Sequence, residues 1–491
     1  MMISEALYAL IKLTPQEKDA TLELYRLAND QFIWLKNEET KVALLLLANA
    51  AEQGLKSNDY QSQWLSAQWD HLKTIPFPSL HQQALFDTTL THNLLHYYSD
   101  VRYGRIKPSR ANSKFTYSKD PIELAQKIWN AIQKSTLIQL GQQFEPTLSF
   151  YHNLKKALHN YQKAIKDFPK IAFKFKKPLK IGQKDPQVIK LRRLLITLAD
   201  FVSIKEISLS VLNSQLYDKP LSEAIKRFQK RHRLKATGRV SKQTVRALNF
   251  PLTKRLEKIE LGLERFRWVP RYDEDQLIFV NIPSFRLWAF NSLTDKKVKP
   301  LTIRVVVGKA SRHKTPTFSS KMKYLVFRPY WGIPYSILKN EVFPGMKRDA
   351  NYLTNRNMEL IGNRVRQRPG SRNALGLVKF IFPNKYSIYL HDTPSKSLFR
   401  RTRRDFSHGC VRVSKPATLA AYLLKWKTSR VKRAMNRGSG GRRQNLEKEI
   451  PVILFYSTAL ALENSSVTFL NDVYGRDAKL IRLLKKKVKR I

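Results

Sequence analysis

The sequence predicts a multidomain α+β chain with three parts. These are a helical N-terminal scaffold, a small helical module, and a mainly-β domain carrying an inserted capping segment. Three observations lead there. The 491 residues exceed what one hydrophobic core usually serves, so two to four domains are expected. Apolar residues keep helical spacing to about residue 270, then give way to short β-branched and aromatic runs parted by turn residues. A hydrophobic share of 42% matches chains with packed cores, which sets aside wholesale disorder despite a formal charge of +52.

The helical part begins with Leu22, Leu24, Tyr25, Leu27 and Phe32, followed by an apolar run from Val42 to Ala51. Ile122, Leu124, Ile128 and Ile132 then recur at helical spacing, so residues 1–180 are expected to form the scaffold. A Lys-rich stretch, Lys163 to Lys190, leads into a module over 181–250. There Leu221, Ile225 and Phe228 share one helix face, Thr237-Gly238 makes a turn, and Ser241 is placed to cap a helix carrying Val245 and Leu248. Leu252, Leu256, Ile259, Leu263 and Phe266 step by fours and threes, which predicts a long amphipathic helix. Strands are predicted at Gln276–Pro283, Phe285–Phe290, Leu301–Val307, Lys323–Phe327, Leu377–Phe382, Tyr386–His391 and Pro451–Ser457. Residues 333–376, rich in Arg, Asn and Gly with weak periodicity, read as a lid-like insertion. The Leu483–Arg490 charge run within 476–491 reads as a solvated basic tail.

No apolar run approaches the ~18–20 residues a membrane span needs; Val42–Leu47 and Leu419–Leu424 are the richest. The first residues, Met1 to Leu7, lack a basic region and place Glu5 where an apolar stretch would lie, so no signal peptide is read there. The 90 Lys+Arg against 38 Asp+Glu point to anionic partners: nucleic acid, an anionic membrane or an acidic wall polymer. A single cysteine, Cys410, excludes an intrachain disulfide framework and any multi-Cys zinc site.

Chemistry concentrates in Tyr386–Pro394 and Ser407–Arg412. With a period of two, Tyr386, Ile388 and Leu390 face a core, while Ser387, Tyr389 and His391 face the other way. His391 then stands at a strand end where its imidazole can reach a loop. A lone cysteine is more often a small buried hydrophobe than a nucleophile, but the neighbours of Cys410 argue otherwise. Gly409 permits a tight turn whose N–H groups can form an oxyanion hole. His408, Arg412 and the upstream Arg400, Arg401, Arg403 and Arg404 predict electropositive surroundings that favour thiolate. Ser414 is expected to cap a helix running through Leu419, Leu423 and Leu424, with Pro416 in its first turn, so that the helix dipole also acts on the thiol. Nucleophile, base and oxyanion donors together meet the needs of acyl transfer. No metal or cofactor is implied.

Ser407-His408-Gly409-Cys410-Val411-Arg412, with His391 upstream, resembles the signature of the L,D-transpeptidases with a YkuD-type catalytic domain. Trp331–Pro334, Gln367–Gly376, Lys379–Asn384, Tyr389–Pro394 and Val473–Asp477 are similar to the large YcbB-like branch. That resemblance implies a catalytic domain over 251–475 with a capping insertion over 335–376. The module resembles a helical peptidoglycan-binding domain through Arg227–His232 and Thr244–Asn249. It departs from it at Arg233, where Gly is common, and at Thr237, where Asp commonly precedes Gly238. Phe86–Gly104 resembles the scaffold of the same branch.

Carried over, the resemblance makes Cys410 the nucleophile and His391 its base. Asp392 is the orienting residue through its carbonyl, and the His408, Gly409 and Cys410 amides are the oxyanion donors. Tyr389, Trp331 and Arg412 become substrate-site residues. It implies 3→3 cross-linking of peptidoglycan stem peptides through a thioester, with a tetrapeptide donor and a diamino-acid acceptor, in cell-wall biogenesis. It also implies acylation by carbapenems, cell-wall synthases as partners, and a periplasmic or envelope location. The missing leader then predicts a start upstream of Met1. Two other readings remain: an L,D-carboxypeptidase using water on the same cysteine, and a non-catalytic binder of a wall polymer or nucleic acid. No motif that reads RNA or DNA supports nucleic acid as a specific partner.

Overall fold

The computed structural model describes residues 15–201, 208–272, 276–292, 299–461 and 466–488. The readings made on Met1–Leu7 and on the last residues of the basic tail lie outside them. Helices Pro15–Leu27, Glu39–Ala48, Ser62–Thr74, Leu80–Tyr103, Pro121–Gln133, Leu137–Phe144 and Ser149–Asp167 build the N-terminal part. The Leu80–Tyr103 helix is its hub. A reciprocal capping box between Ser79 and Gln82 starts it, and Leu90, Leu94 and Val101 are fully buried along it. From the same helix, buried Asp87 accepts bonds from the Tyr25 hydroxyl at 2.6 Å and the Trp34 amide at 2.8 Å. Leu124, Ile128 and Ile132 are buried as their spacing predicts, whereas Ile122 at the helix start is exposed.

In the small module, Asp218 caps the Lys219–Arg231 helix, and Leu221, Ile225 and Phe228 are fully buried. Ser241 caps Lys242–Leu248 by accepting from the Thr244 amide. Arg233 holds φ +59°, a left-handed conformation that glycine adopts without strain.

The Leu252–Arg267 helix joins the parts. Its Glu264 carboxylate accepts from the Arg105 and Ile106 amides at 3.0 and 2.8 Å. Leu261, Leu263 and Phe266 share one hydrophobic cluster with Leu154 and Leu158, with Phe228 of the module, and with Phe279 and Phe455 of the sheet domain.

That domain is a nine-stranded sheet. Its strands are β1 (Leu277–Asn281), β2 (Arg286–Phe290), β3 (Leu301–Gly308), β4 (Phe318–Phe327), β8 (Val378–Ile381), β9 (Leu390–His391), β10 (Asp405–Ser407), β11 (Val411–Val413) and β12 (Arg442–Phe455). Between β4 and β8 lie β5 (Trp331–Gly332), β6 (Met358–Ile361) and β7 (Arg364–Gln367), which form a sheet of their own. The order in the large sheet is β10-β3-β11-β9-β8-β4-β12-β1-β2, and β2 pairs back onto β3, so the sheet closes on itself. Alternation decides its two faces. Ile278, Val280, Leu287, Val305, Phe380, Leu390, Val411 and Leu454 enter one core, while Leu277, Phe279, Trp288 and Phe455 pack towards the helices.

The 333–376 insertion carries helical turns Tyr335–Ile337, Leu338–Val342, Phe343–Arg348 and Tyr352–Asn355 beside β6 and β7. Its core is small: Ile333, Ile337, Leu338, Val342 and Val365. Two expectations are corrected here. The predicted Tyr386–His391 strand shrinks to β9. Ser387 takes φ +52°, and Asn384 satisfies the Ile388 backbone itself, accepting from its N–H at 3.1 Å and donating to its carbonyl at 2.7 Å. The segment from 476 is not a solvated tail at its start. It forms a helix, Arg476–Val488, docked through fully buried Leu480 and the Asp477–Arg265 ion pair at 2.7 Å.

Candidate active site

Parallel pairing of β9 and β11 sets Leu390 opposite Val411 and His391 opposite Arg412. Leu390, Val411 and Val413 are fully buried in the core. The alternate residues Tyr389, His391, Cys410 and Arg412 therefore share the opposite face, and the Val411 amide donates to Tyr389 O at 3.1 Å across the pair.

Cys410 ends a turn in which Gly409 holds φ +118°, a conformation closed to residues with a side chain. Ser407 stitches that turn: its hydroxyl donates to Cys410 O at 2.6 Å and accepts from the Gly409 amide at 3.2 Å. The Gly409 amide is thus occupied, which removes it from the expected oxyanion donors. The His408 and Cys410 amides make no hydrogen bond among the described residues.

The thiol points at the Ser387 carbonyl, 3.6 Å away. Burial pushes its pKa up, opposed by the amide and hydroxyl of Tyr389 and by the charge of Arg412. The resting group is therefore a thiol, not the thiolate that the arginine-rich sequence predicted. Those arginines are engaged elsewhere. Arg403 grips Asp405 at 2.6 and 2.9 Å, Arg404 donates to Phe285 O and Val305 O, Arg401 lies over the Phe406 ring, and Arg400 is exposed. The helix after the motif is Pro416–Leu424, preceded by Lys415 with no side-chain cap. Strand β11 intervenes, so neither the Ser414 cap nor the dipole reaches Cys410 as expected.

His391 is buried, and its Nδ1 lies 2.5 Å from Asp392 O. That contact assigns the proton to Nδ1 and leaves Nε2 as an acceptor. Burial first, and Arg412 second, push its pKa down to about 3, so the imidazole is neutral. Its ring meets Tyr389 edge-on at 5.7 Å. Tyr389 thus touches both predicted catalytic residues, which form no direct hydrogen bond with one another among the described residues.

The Asp392 carboxylate is a staple: it accepts from the Thr393 amide at 2.7 Å and the Leu377 amide at 2.9 Å, and pairs with Lys396. Gly376 packs against it at φ +60°, where a Cβ would come within 2.4 Å of the carboxylate. Among the described residues the buried Nε of Arg412 has no hydrogen-bond partner, and its charge acts on the thiol. His408 is half-exposed, tilts against His313 at 4.8 Å, and meets Glu341 of the insertion at 3.7 Å. Trp331 pairs with Gln367 and packs on the insertion's own core. Sequence reasoning missed the Ser387 carbonyl, because a strand would have used it in a ladder, and missed Thr315, whose hydroxyl donates to Gly409 O at 2.7 Å.

Residues 275–432 match the L,D-transpeptidase catalytic domain, residues 19–158 a scaffold domain, and residues 184–248 a putative peptidoglycan binding domain. Over these three stretches the chain is similar to L,D-transpeptidase, scaffold and peptidoglycan-binding domains. A putative L,D-transpeptidase of Haemophilus influenzae is 35% identical over 248 residues, which cover 46% of this chain and 49% of that protein. The chain thus spans about half the length of this curated relative. A solved fused Zn-dependent amidase/peptidase/peptidoglycan-binding domain-containing protein of Clostridium acetobutylicum is similar at 15% identity and TM-score 0.16, covering 57% of this chain and 99% of that one. Likeness at that level carries no argument. The stretch that matches the L,D-transpeptidase catalytic domain holds Cys410, His391 and the whole of the insertion. Among the described residues no helix is long and apolar enough to cross a membrane.

Proposed function

We propose that the chain is a peptidoglycan L,D-transpeptidase of the cell envelope that forms 3→3 cross-links through a thioester on Cys410. The observation that carries this reading is the shared face of β9 and β11. It collects a thiol, a neutral imidazole with an acceptor nitrogen, and two amides at one turn that have no partner among the described residues.

The donor's third-residue carbonyl carbon is attacked by Sγ while the thiol proton passes to Nε2 of His391. Because thiol and imidazole are both neutral at rest, this transfer belongs to the attack itself rather than to a standing ion pair. The His408 and Cys410 amides receive the oxyanion. Collapse expels the terminal D-Ala amine, which takes the proton from His391 and leaves the thioester. The side-chain amine of an acceptor stem then attacks that carbonyl, giving its proton to His391, and the thiolate leaves and is reprotonated. Asp392 O holds the ring throughout. Tyr389 steadies the sulfur, and the Arg412 charge favours its anionic form during attack.

Incubation with disaccharide tetrapeptides should yield 3→3 dimers with wild type and none with Cys410→Ala. A carbapenem should add one adduct to wild type by intact mass and none to the variant. Equal labelling of both would overturn the assignment, and tripeptide monomers without dimers would make the enzyme a carboxypeptidase.

A further inference from the structure

A buried chain of hydrogen bonds reaches the nucleophile turn from a part of the sequence beyond the matched catalytic domain. The Tyr456 hydroxyl donates to Asp472 at 2.5 Å and accepts from the Tyr474 amide at 2.8 Å. The Tyr474 hydroxyl donates to Gly308 O at 2.7 Å and accepts from the Thr315 amide at 3.2 Å. The Thr315 hydroxyl accepts from the Gly308 amide at 2.9 Å and donates to Gly409 O at 2.7 Å. Each hydroxyl gives one bond and takes one, so the direction of the chain is determined. Thr315 and Tyr474 are buried, and water cannot substitute for a lost partner without cost.

The last bond has a geometric consequence. The Gly409 carbonyl and the Cys410 N–H belong to one planar peptide group and point in opposite directions. Anchoring the oxygen inward on Thr315 aims the Cys410 N–H outward, and this amide has no hydrogen-bond partner among the described residues. We propose that Thr315 and Tyr474 are positioning residues that aim the Cys410 N–H as an oxyanion donor, which makes Tyr456, Asp472 and Tyr474 working parts of the active site. The role assigned to this amide rests on the acyl-transfer reading above.

The test compares two reactions of Cys410 in the full chain. Acylation by p-nitrophenyl acetate forms an oxyanion; alkylation by iodoacetamide does not. Thr315→Val and Tyr474→Phe should slow acylation about tenfold or more, since one oxyanion donor is commonly worth ~100–1,000-fold, while alkylation changes less than about twofold. Thr315→Ser, which keeps the hydroxyl, should recover most of the acylation rate. If acylation and alkylation fall together, or neither falls, or Ser fails to rescue, the proposal is overturned. Acylation by the ester without 3→3 dimers from wild type would sink the transpeptidase reading and leave this one standing.

Discussion

The nucleophile turn and the insertion that meets it are held in opposite ways. The turn is stitched by buried, directed bonds from Ser407 and Thr315, with the Asp392 staple on the neighbouring strand. The insertion has a five-residue buried core and exposed ion pairs, Arg366 and Arg368 to Glu359, each at 2.6 Å. Where the two meet, His408 approaches Glu341 at 3.7 Å, and burial and the neighbouring His313 push the His408 pKa down, so the contact is a weak polar one rather than a standing ion pair. Buried bonds are costly to break and screened pairs are cheap. The difference teaches that stiffness sits where angles govern chemistry, while the covering piece rests on contacts that a substrate can replace.

The comparison can be broken most severely at Gly376. Valine there must adopt a left-handed backbone with its Cβ inside the Asp392 staple, so Gly376→Val should cost about 3 kcal/mol or more and abolish Cys410 acylation. Differential scanning fluorimetry and the ester assay would show it; a melting temperature within two degrees of wild type would contradict it.

Next comes acid. The folded pKa of His391, about 3, lies below the ~6.5 of an unfolded histidine. The unfolded chain therefore binds a proton first, and the stability this residue supplies above about pH 6.5 is lost as pH falls towards 3. On the order of 4 kcal/mol is at stake across that window. His391→Asn should flatten the difference in melting temperature between pH 7 and pH 4.5; an unchanged slope would refute it.

A smaller effect is expected from Glu341→Gln. Loosening the contact with His408 should change KM for the tetrapeptide a few-fold and leave iodoacetamide alkylation unaltered, a split that a damaged turn would not give. The smallest belongs to Glu359→Gln, which should leave the melting temperature and acylation rate near wild type but speed proteolytic nicking within 345–368. Equal nicking rates would show that the exposed pairs do not hold the insertion.

Local signals were legible in the sequence. The Ser241 cap, the Leu221–Ile225–Phe228 face and the strand alternation all rest on neighbours within a few residues. The Ser407–Arg412 turn was visible as a motif because Gly409 and Cys410 adjoin. What escaped depends on partners far along the chain. Ser414 follows a strand rather than opening a helix, because β11 pairs with β9 and β3. The arginines at 400–404 were counted as one field, yet Arg401, Arg403 and Arg404 are each spent on a different neighbour and Arg400 is exposed, so net charge misjudged the thiol. Thr315 and Tyr474 sit 159 residues apart, a separation at which no pattern links two hydroxyls.

The Leu252–Arg267 helix has a mechanical consequence. Because its residues share one core with the Lys219–Arg231 helix of the module and with strands β1 and β12, the module is not tethered by a linker and cannot search space on its own. A glycan strand seated on the module would be presented to Cys410 at a set reach and angle, as a gauge block sets a cutting tool. Spacing along the wall, rather than local concentration, would then decide which stem peptides come within range.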